Sequence, residues 1–287
     1  MRSSSSAWTE IPSPVHGSVF DLDKHALIDA VHEQRQRMLD LLRSLPEADW
    51  EKTVVPRWRV RELAAHMITT DEGTLTGRML LMGFTKDAVG AIPKIEAWND
   101  KQVARWADRP VPVLLAAVEK WGNRLERLAR AVPRSIGKRT IPTPLGRASL
   151  LWLAGLRVYD EWVHREDLRR ALGMPSDDDP NVVGPAARML QAGIPMQSLP
   201  RVAAGSKGSV SLAFDDLDLP AFGFDLTAQR YGYGVTGGDA RIAGRAAPLV
   251  MVAARRDAWR DAETSGALKI EGDRKAAEAV LDALLLV

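Results

Sequence analysis

From Asp23 to Gly173 apolar residues recur at intervals of three and four, and beyond Pro175-Ser176-Asp177-Asp178-Asp179-Pro180 they begin to alternate. A period near 3.6 commits the first stretch to amphipathic helices, and a period of two commits parts of the second to strands. The acidic run between two prolines is a turn-forming boundary. A chain of 287 residues has room for two domains of ordinary size on either side of it.

Leu27, Val31, Met38, Leu42 and Leu45 mark the first helix, which Pro46 ends. Val60, Leu63, Ala64 and Met67 mark the second, and His66 lies within it. A short helix is expected over residues 98–108. From Val111 to Val132, Leu114, Val118, Trp121, Leu125 and Leu128 step by three and four, the seam of a bundle. The basic, proline-containing stretch Arg139 to Gly146 reads as a connection. The last long helix runs from about Ala148 to Leu172, with Gly173 as its stop.

Past the boundary, a helix near Val183 to Leu190 precedes strands at Val210, Leu212 and Phe214 and at Phe222 and Phe224. Leu249 to Ala253 and Leu268 to Ile270 read as further strands. Gly272-Asp273 supplies a stop and a cap for a helix over Lys275 to Leu285. The expected fold class is α plus α+β. Residues 1–17 are expected as a disordered arm, 18–175 as a four-helix bundle and 181–287 as a smaller α+β domain.

Composition excludes several function classes. Basic and acidic residues nearly cancel, at 39 and 37, so no strong field invites nucleic acid. The absence of cysteine removes disulfides, zinc-thiolate knots and a thiol nucleophile. No apolar run has the length of a signal peptide or a membrane span, and the expectation is a cytoplasmic protein with no membrane partner. Oligomeric state is not legible in the sequence.

Three residues carry potential chemistry. Asp160 and His164 are four apart, so on a helix both side chains leave the same face. His66 comes from another helix, and inward side chains from facing helices are how bundles build metal sites. Two imidazoles and a carboxylate would leave a divalent ion an open coordination position, the mark of catalytic rather than structural zinc. Spacing alone equally describes a packed histidine and a surface Asp–His pair, so both readings stay open here. Glu161 and Glu166 are rival carboxylates expected on other faces of the helix, while His16, His25 and His32 are expected to be solvated.

The run Trp58-x-Val60-x-x-Leu63-x-x-His66, followed by Arg157-Val158-Tyr159-Asp160-Glu161-Trp162-Val163-His164-Arg165-Glu166-Asp167, resembles the mycothiol-dependent maleylpyruvate isomerase family. The resemblance implies a DinB-like four-helix bundle holding a divalent metal, usually zinc, through His66, Asp160 and His164. It also implies a C-terminal domain similar to sterol carrier protein type 2, on Ala243-Gly244-Arg245 and Ile270-Glu271-Gly272-Asp273. The best-known members have glutamate where this chain has Asp160. Asp167 fits a role behind His164.

The implied partners are mycothiol and a small electrophile. A thiol bound to the ion is deprotonated, and the thiolate attacks carbon, giving isomerisation if it is later expelled or an S-conjugate if it stays. Arg245, with Arg241 as its rival, is the expected cation for the substrate's carboxylate or the thiol's sugar, because both are expected in glycine-punctuated turns. A non-haem iron oxygenase, a thiol-independent metal hydrolase and a ligand-binding protein with a vestigial metal site are the competing functions.

Overall fold

A computed structural model describes residues 8–10, 23–79, 92–143, 146–228, 230–234 and 237–286. The chain divides into two compact units, residues 22–177, and residues 1–21 together with 178–287.

The helical unit is built on four long helices: α1 (Lys24–Ser44), α2 (Val60–Thr76), α4 (Val111–Ala131) and α6 (Leu150–Ala171), with α3 (Ile92–Val103) and the single turn α5 (Arg134–Gly137) as additions. Local chemistry sets their ends. Asp23 caps α1 by accepting from the backbone N–H of His25 and Ala26. At the start of α2 the Glu62 carboxylate reaches back to accept from the Arg59 backbone N–H at 2.8 Å. Ser149 caps α6, and Gly173, at φ +69°, supplies the left-handed residue just beyond it.

Helix α1 packs on α4 and α6, while α2 packs on α3 and α4. Met38 and Leu42 from α1, Leu63 and Met67 from α2, and Leu114 and Val118 from α4 meet in a fully buried apolar core. Burying one such side chain is worth about 1.5–3 kcal/mol, so this stripe holds the bundle closed. Trp50, from a 3₁₀ turn over Glu47–Glu51, closes one end of that core.

Three short pieces depart from expectation. The residues expected as a helix over 98–108 belong to α3, which starts earlier and ends at Val103, where turns begin. The stretch expected as a plain connection forms a hairpin, β4 (Thr140–Thr143) with β5 (Gly146–Ser149). Another hairpin, β2 (Thr53–Val55) with β3 (Trp58–Arg59), delivers Trp58 to the start of α2. Strands of two to four residues are too short to show a period.

The second unit holds a six-stranded sheet in the order β1-β8-β7-β6-β9-β10, formed by Trp8–Glu10, Arg230–Tyr233, Phe222–Asp225, Ser209–Phe214, Ala240–Gly244 and Leu268–Gly272 respectively. All pairings are antiparallel except β6 with β9. Val210 pairs with Phe224 and Leu212 with Phe222, which puts the alternating apolar residues in register. Part of the expected disordered arm is thus a strand: Trp8–Glu10 pairs with β8. The rest of residues 1–17 lies outside the described residues.

The helices of this unit are α7 (Pro180–Gly193), α8 (Ala246–Ala253), α9 (Trp259–Thr264) and α10 (Arg274–Ala283). Leu249 to Ala253, expected as a strand, is the body of α8. The run Leu249 to Ala253 is buried all round, and an apolar run without period fits a buried helix as well as a buried strand. Asp216 settles the choice locally by accepting from the Ala246 N–H at 2.9 Å, and Pro248 is tolerated in a first turn. Asp273 caps α10 as expected. Among the described residues no helix is long and apolar enough to cross a membrane.

Gly122 of α4 has a defined reason to be glycine. A Cβ there would stand 1.8 Å from Nη1 of Arg35, whose guanidinium is fixed by buried carboxylates. Exchanging an exposed helical glycine for alanine stabilises by about 1 kcal/mol. Here Gly122→Ala is expected to destabilise by about 1–3 kcal/mol through overpacking. Urea unfolding checks it, and a more stable variant would show that Arg35 is free to move aside.

Candidate metal centre

Helix α6 presents Arg157, Asp160, Glu161, His164 and Asp167 at spacings of three and four, one continuous inward stripe. His66 approaches from α2. The three expected ligands come together: one ligand atom from each of His66, Asp160 and His164 lies within 4.8 Å of the other two. Nε2 of His164 is 3.2 Å from Oδ1 of Asp160, and Nε2 of His66 is 3.9 Å from Oδ2. Two ligands bound to one tetrahedral zinc at 2.0–2.1 Å stand about 3.3 Å apart, so the first distance already suits a shared ion.

The ring nitrogens are prepared differently. Nδ1 of His164 is 3.2 Å from Oδ2 of Asp167, which leaves Nε2 facing Asp160. Nδ1 of His66 is buried without a hydrogen-bond partner among the described residues. The His66 ring is 5.0 Å from that of His164 and 4.8 Å from Trp58, whose Nε1 donates to Asp100 on α3 at 3.3 Å. Both imidazoles are buried, while the Asp160 side chain keeps 28% of its surface exposed, so the centre opens at the carboxylate.

Behind the ligands lies a buried charge cluster. Arg35 of α1 binds Asp71 of α2 at 2.7 Å through Nη1 and Glu161 of α6 at 2.7 and 2.9 Å through Nε. Arg157 reaches Asp71 at 3.3 Å and Glu161 at 3.0 Å, and also binds Asp160. Two guanidiniums thus face the three carboxylates Asp71, Asp160 and Glu161, and one negative charge is left over. Of the three, Asp160 is the one that faces the two imidazoles, and in the metal-free centre protonated His164 meets it. The chemistry and placement of the donor set fit a divalent cation, which would meet that charge.

Residues 31–169 match the family described as the mycothiol maleylpyruvate isomerase N-terminal domain. The helical unit is a member of that family. Two crystal structures of mycothiol-dependent maleylpyruvate isomerase, one of them a point mutant, share the fold, with TM-scores of 0.56 and 0.55 at 16% and 15% identity. Each alignment covers 88% of this chain and 94% of the other. No curated protein matches the chain.

Other residues singled out in the sequence are placed elsewhere in the isomerase-family domain. Glu161 is not a spare carboxylate but the partner of both buried arginines. Glu166 accepts from Ser176 Oγ at 2.7 Å and from the Asp177 N–H at 3.0 Å, fastening the segment after α6. His25 and His32 are exposed on α1, and His32 pairs with Glu126 at 2.8 Å. His16 lies outside the described residues.

Arg241 and Arg245 belong to the second unit, and neither is in a glycine-rich turn. Arg241 is inside strand β9 and pairs with Asp215 and Glu271 at 3.4 and 3.5 Å. Arg245 is the N-cap residue of α8 and pairs with Asp178 at 3.0 Å. Flanking glycines suggested turns, but Gly244 is the last residue of the strand, and glycine is needed there because a Cβ would stand 2.5 Å from the Ala267 carbonyl oxygen. Sequence reasoning missed Arg35, Asp71 and Arg157; the i, i+3, i+4 spacing of Arg157 to Asp160 and Glu161 was the available signal.

Burial disfavours charge on both imidazoles. For His66 it prevails over the nearby Asp160 carboxylate and lowers the pKa. For His164 the carboxylates of Asp160 and Asp167 overcome it and push the value up to about 9. Burial would also raise Asp160, but His164 and Arg157 hold it well below the usual carboxylate range.

The raised His164 value means that the metal-free fold gains stability from the imidazolium, fully below about pH 6.5, and loses it as pH rises through about 9. His66, with a lowered value, acts oppositely and only as pH falls below about 6.5. In the presence of a chelator the melting temperature of the wild type should therefore drop between pH 6.5 and 9.5 by several degrees more than that of His164→Asn. Equal pH slopes would show that His164 is not held protonated.

Proposed function

We propose that the chain is a metal-dependent, mycothiol-using enzyme, an isomerase or S-transferase acting on a small electrophile, with His66, Asp160 and His164 as metal ligands. The observation that carries the reading is the convergence of these three donors within 4.8 Å of one another, inside a domain of the mycothiol maleylpyruvate isomerase family. Zinc fits two imidazoles and a carboxylate with a position left open. When bound, such a cation would lower the pKa of a coordinated thiol and supply a thiolate at neutral pH.

The protein's own part is to hold and to exclude. Trp58 covers the His66 ring and, through Asp100, ties α3 to the mouth of the centre. Asp167 keeps His164 in the tautomer whose Nε2 lone pair is available. The thiol gives up its proton, its sulfur lone pair forms a bond to an unsaturated carbon of the substrate, and the carbon–carbon π pair moves onto the conjugated carbonyl as an enolate. Rotation and expulsion of the sulfur isomerise the substrate and return the thiol. Proton uptake with the sulfur retained gives the S-conjugate. The chain has no cysteine, so the thiol must come from solution.

Arg245, with Arg241 as the rival, is proposed as the cation that binds the substrate's carboxylate or the thiol's sugar. Both side chains are substantially exposed, at 58% and 41%, and their present partners are surface carboxylates. Such pairs are worth about 0–1 kcal/mol, so a ligand carboxylate could displace them. The sterol-carrier likeness of the second unit and a cytoplasmic location complete the proposal.

Metal analysis with a turnover assay on maleylpyruvate tests the reading. The wild type should hold one divalent ion per chain and require mycothiol. His66→Ala and His164→Ala should lose the ion and turnover together, and Arg245→Ala should lower kcat/KM by about 10–100-fold, the worth of a charge-assisted hydrogen bond. Turnover of the wild type without thiol would point instead to a metal hydrolase.

A further inference from the structure

The two oxygens of Asp160 have different partners. Oδ1 faces Nε2 of His164 at 3.2 Å, while Oδ2, 3.9 Å from Nε2 of His66, is bound by Nη1 of Arg157. That guanidinium is not free to follow an incoming ligand. Its Nε lies 3.3 Å from Asp71 Oδ1 and its Nη2 donates to Glu161 Oε1 at 3.0 Å. Asp71 and Glu161 are fully buried, and Arg35 holds both from the other side. Arg157 is therefore pinned at its base and extends one N–H to Asp160.

A carboxylate can ligate a cation through one oxygen or through both. An aspartate close to the ion and free to turn would tend to offer both, filling a position that a thiol needs. With Oδ2 committed to an N–H, and a positive charge beside it that repels a second cation, Oδ1 is the oxygen left. We infer that Arg157 is a positioning residue that confines Asp160 to one-oxygen ligation through Oδ1, and so keeps a coordination position open for the thiol. The inference rests on the metal-and-thiol reading of the centre.

The cobalt-loaded full-length protein gives a direct readout, because the visible bands of Co(II) report coordination number independently of turnover. Asp71→Asn/Arg157→Met removes one charge of each sign from the buried cluster, and Asp71→Asn alone is the control that leaves Arg157 on Asp160. The wild type and Asp71→Asn should show the intense bands of a four-coordinate ion. The double variant should show the weaker bands of a higher-coordinate ion, and should need about 10–100-fold more mycothiol to develop a sulfur-to-cobalt band, the usual effect of losing a ligand's hydrogen-bond partner.

Should the double variant lack a cooperative melt, Arg157→Lys takes its place. It keeps the charge but replaces the two-headed fork by a single ammonium, and the same spectral direction is expected. A wild-type spectrum and thiol affinity in the folded Arg157 variant, or an equal shift in Asp71→Asn, would overturn the inference while leaving the metal reading intact. Failure of the wild type to take up Co(II) would remove the metal reading itself, and this inference with it.

Discussion

The ion pairs of Arg35 with Asp71 and Glu161 fix the helical unit in the one register that matters for its chemistry. Arg35 belongs to α1, Asp71 to α2 and Glu161 to α6, so one side chain ties three helices at a single level. Asp71 is five residues after His66, and Glu161 adjoins Asp160 and precedes His164 by three. Holding Asp71 and Glu161 on the same guanidinium therefore holds the proposed metal ligands opposite one another. Apolar packing between α1, α2 and α4 closes the bundle, but Leu, Met and Val contacts tolerate slippage that a guanidinium hydrogen-bonded to Glu161 and ion-paired with Asp71 does not.

Such a cluster has a thermodynamic cost. Taking charges out of water is repaid only where geometry and hydrogen bonding are good, and removing one partner of a buried pair typically destabilises by about 3–5 kcal/mol. Arg35 and Arg157 hold Asp71 and Glu161, and Arg157 shares Asp160 with the two imidazoles. The same residues thus serve folding and function, and Gly122 on α4 is small because Arg35 needs the space.

Helix periodicity made the bundle legible: the apolar stripes of α1, α2, α4 and α6 and their caps at Asp23 and Gly173 are all local signals. The meeting of His66, Asp160 and His164 was legible for the same reason, since Asp160 and His164 share a face at four-residue spacing and family resemblance supplied His66. Arg35, Asp71 and Arg157 were not, because a charged residue on a helix reads as solvated unless its partner on another helix is known. Runs without period failed too. Leu249 to Ala253 is uniformly apolar, and the Asp216 carboxylate that accepts from the first helical N–H comes from thirty residues earlier in the chain. The strand at Trp8–Glu10 depends on pairing with residues more than two hundred positions away, for which the sequence carries no local sign.

The central claim is that this register creates a three-ligand centre whose open position takes a sulfur from outside the chain. X-ray absorption at the zinc edge measures it most directly. Zinc-loaded protein should show a first shell of nitrogen and oxygen alone near 2.0–2.2 Å, and added mycothiol should introduce one sulfur near 2.3 Å. A nitrogen and oxygen shell that mycothiol leaves unchanged, or one that survives intact in His164→Ala, would contradict the account.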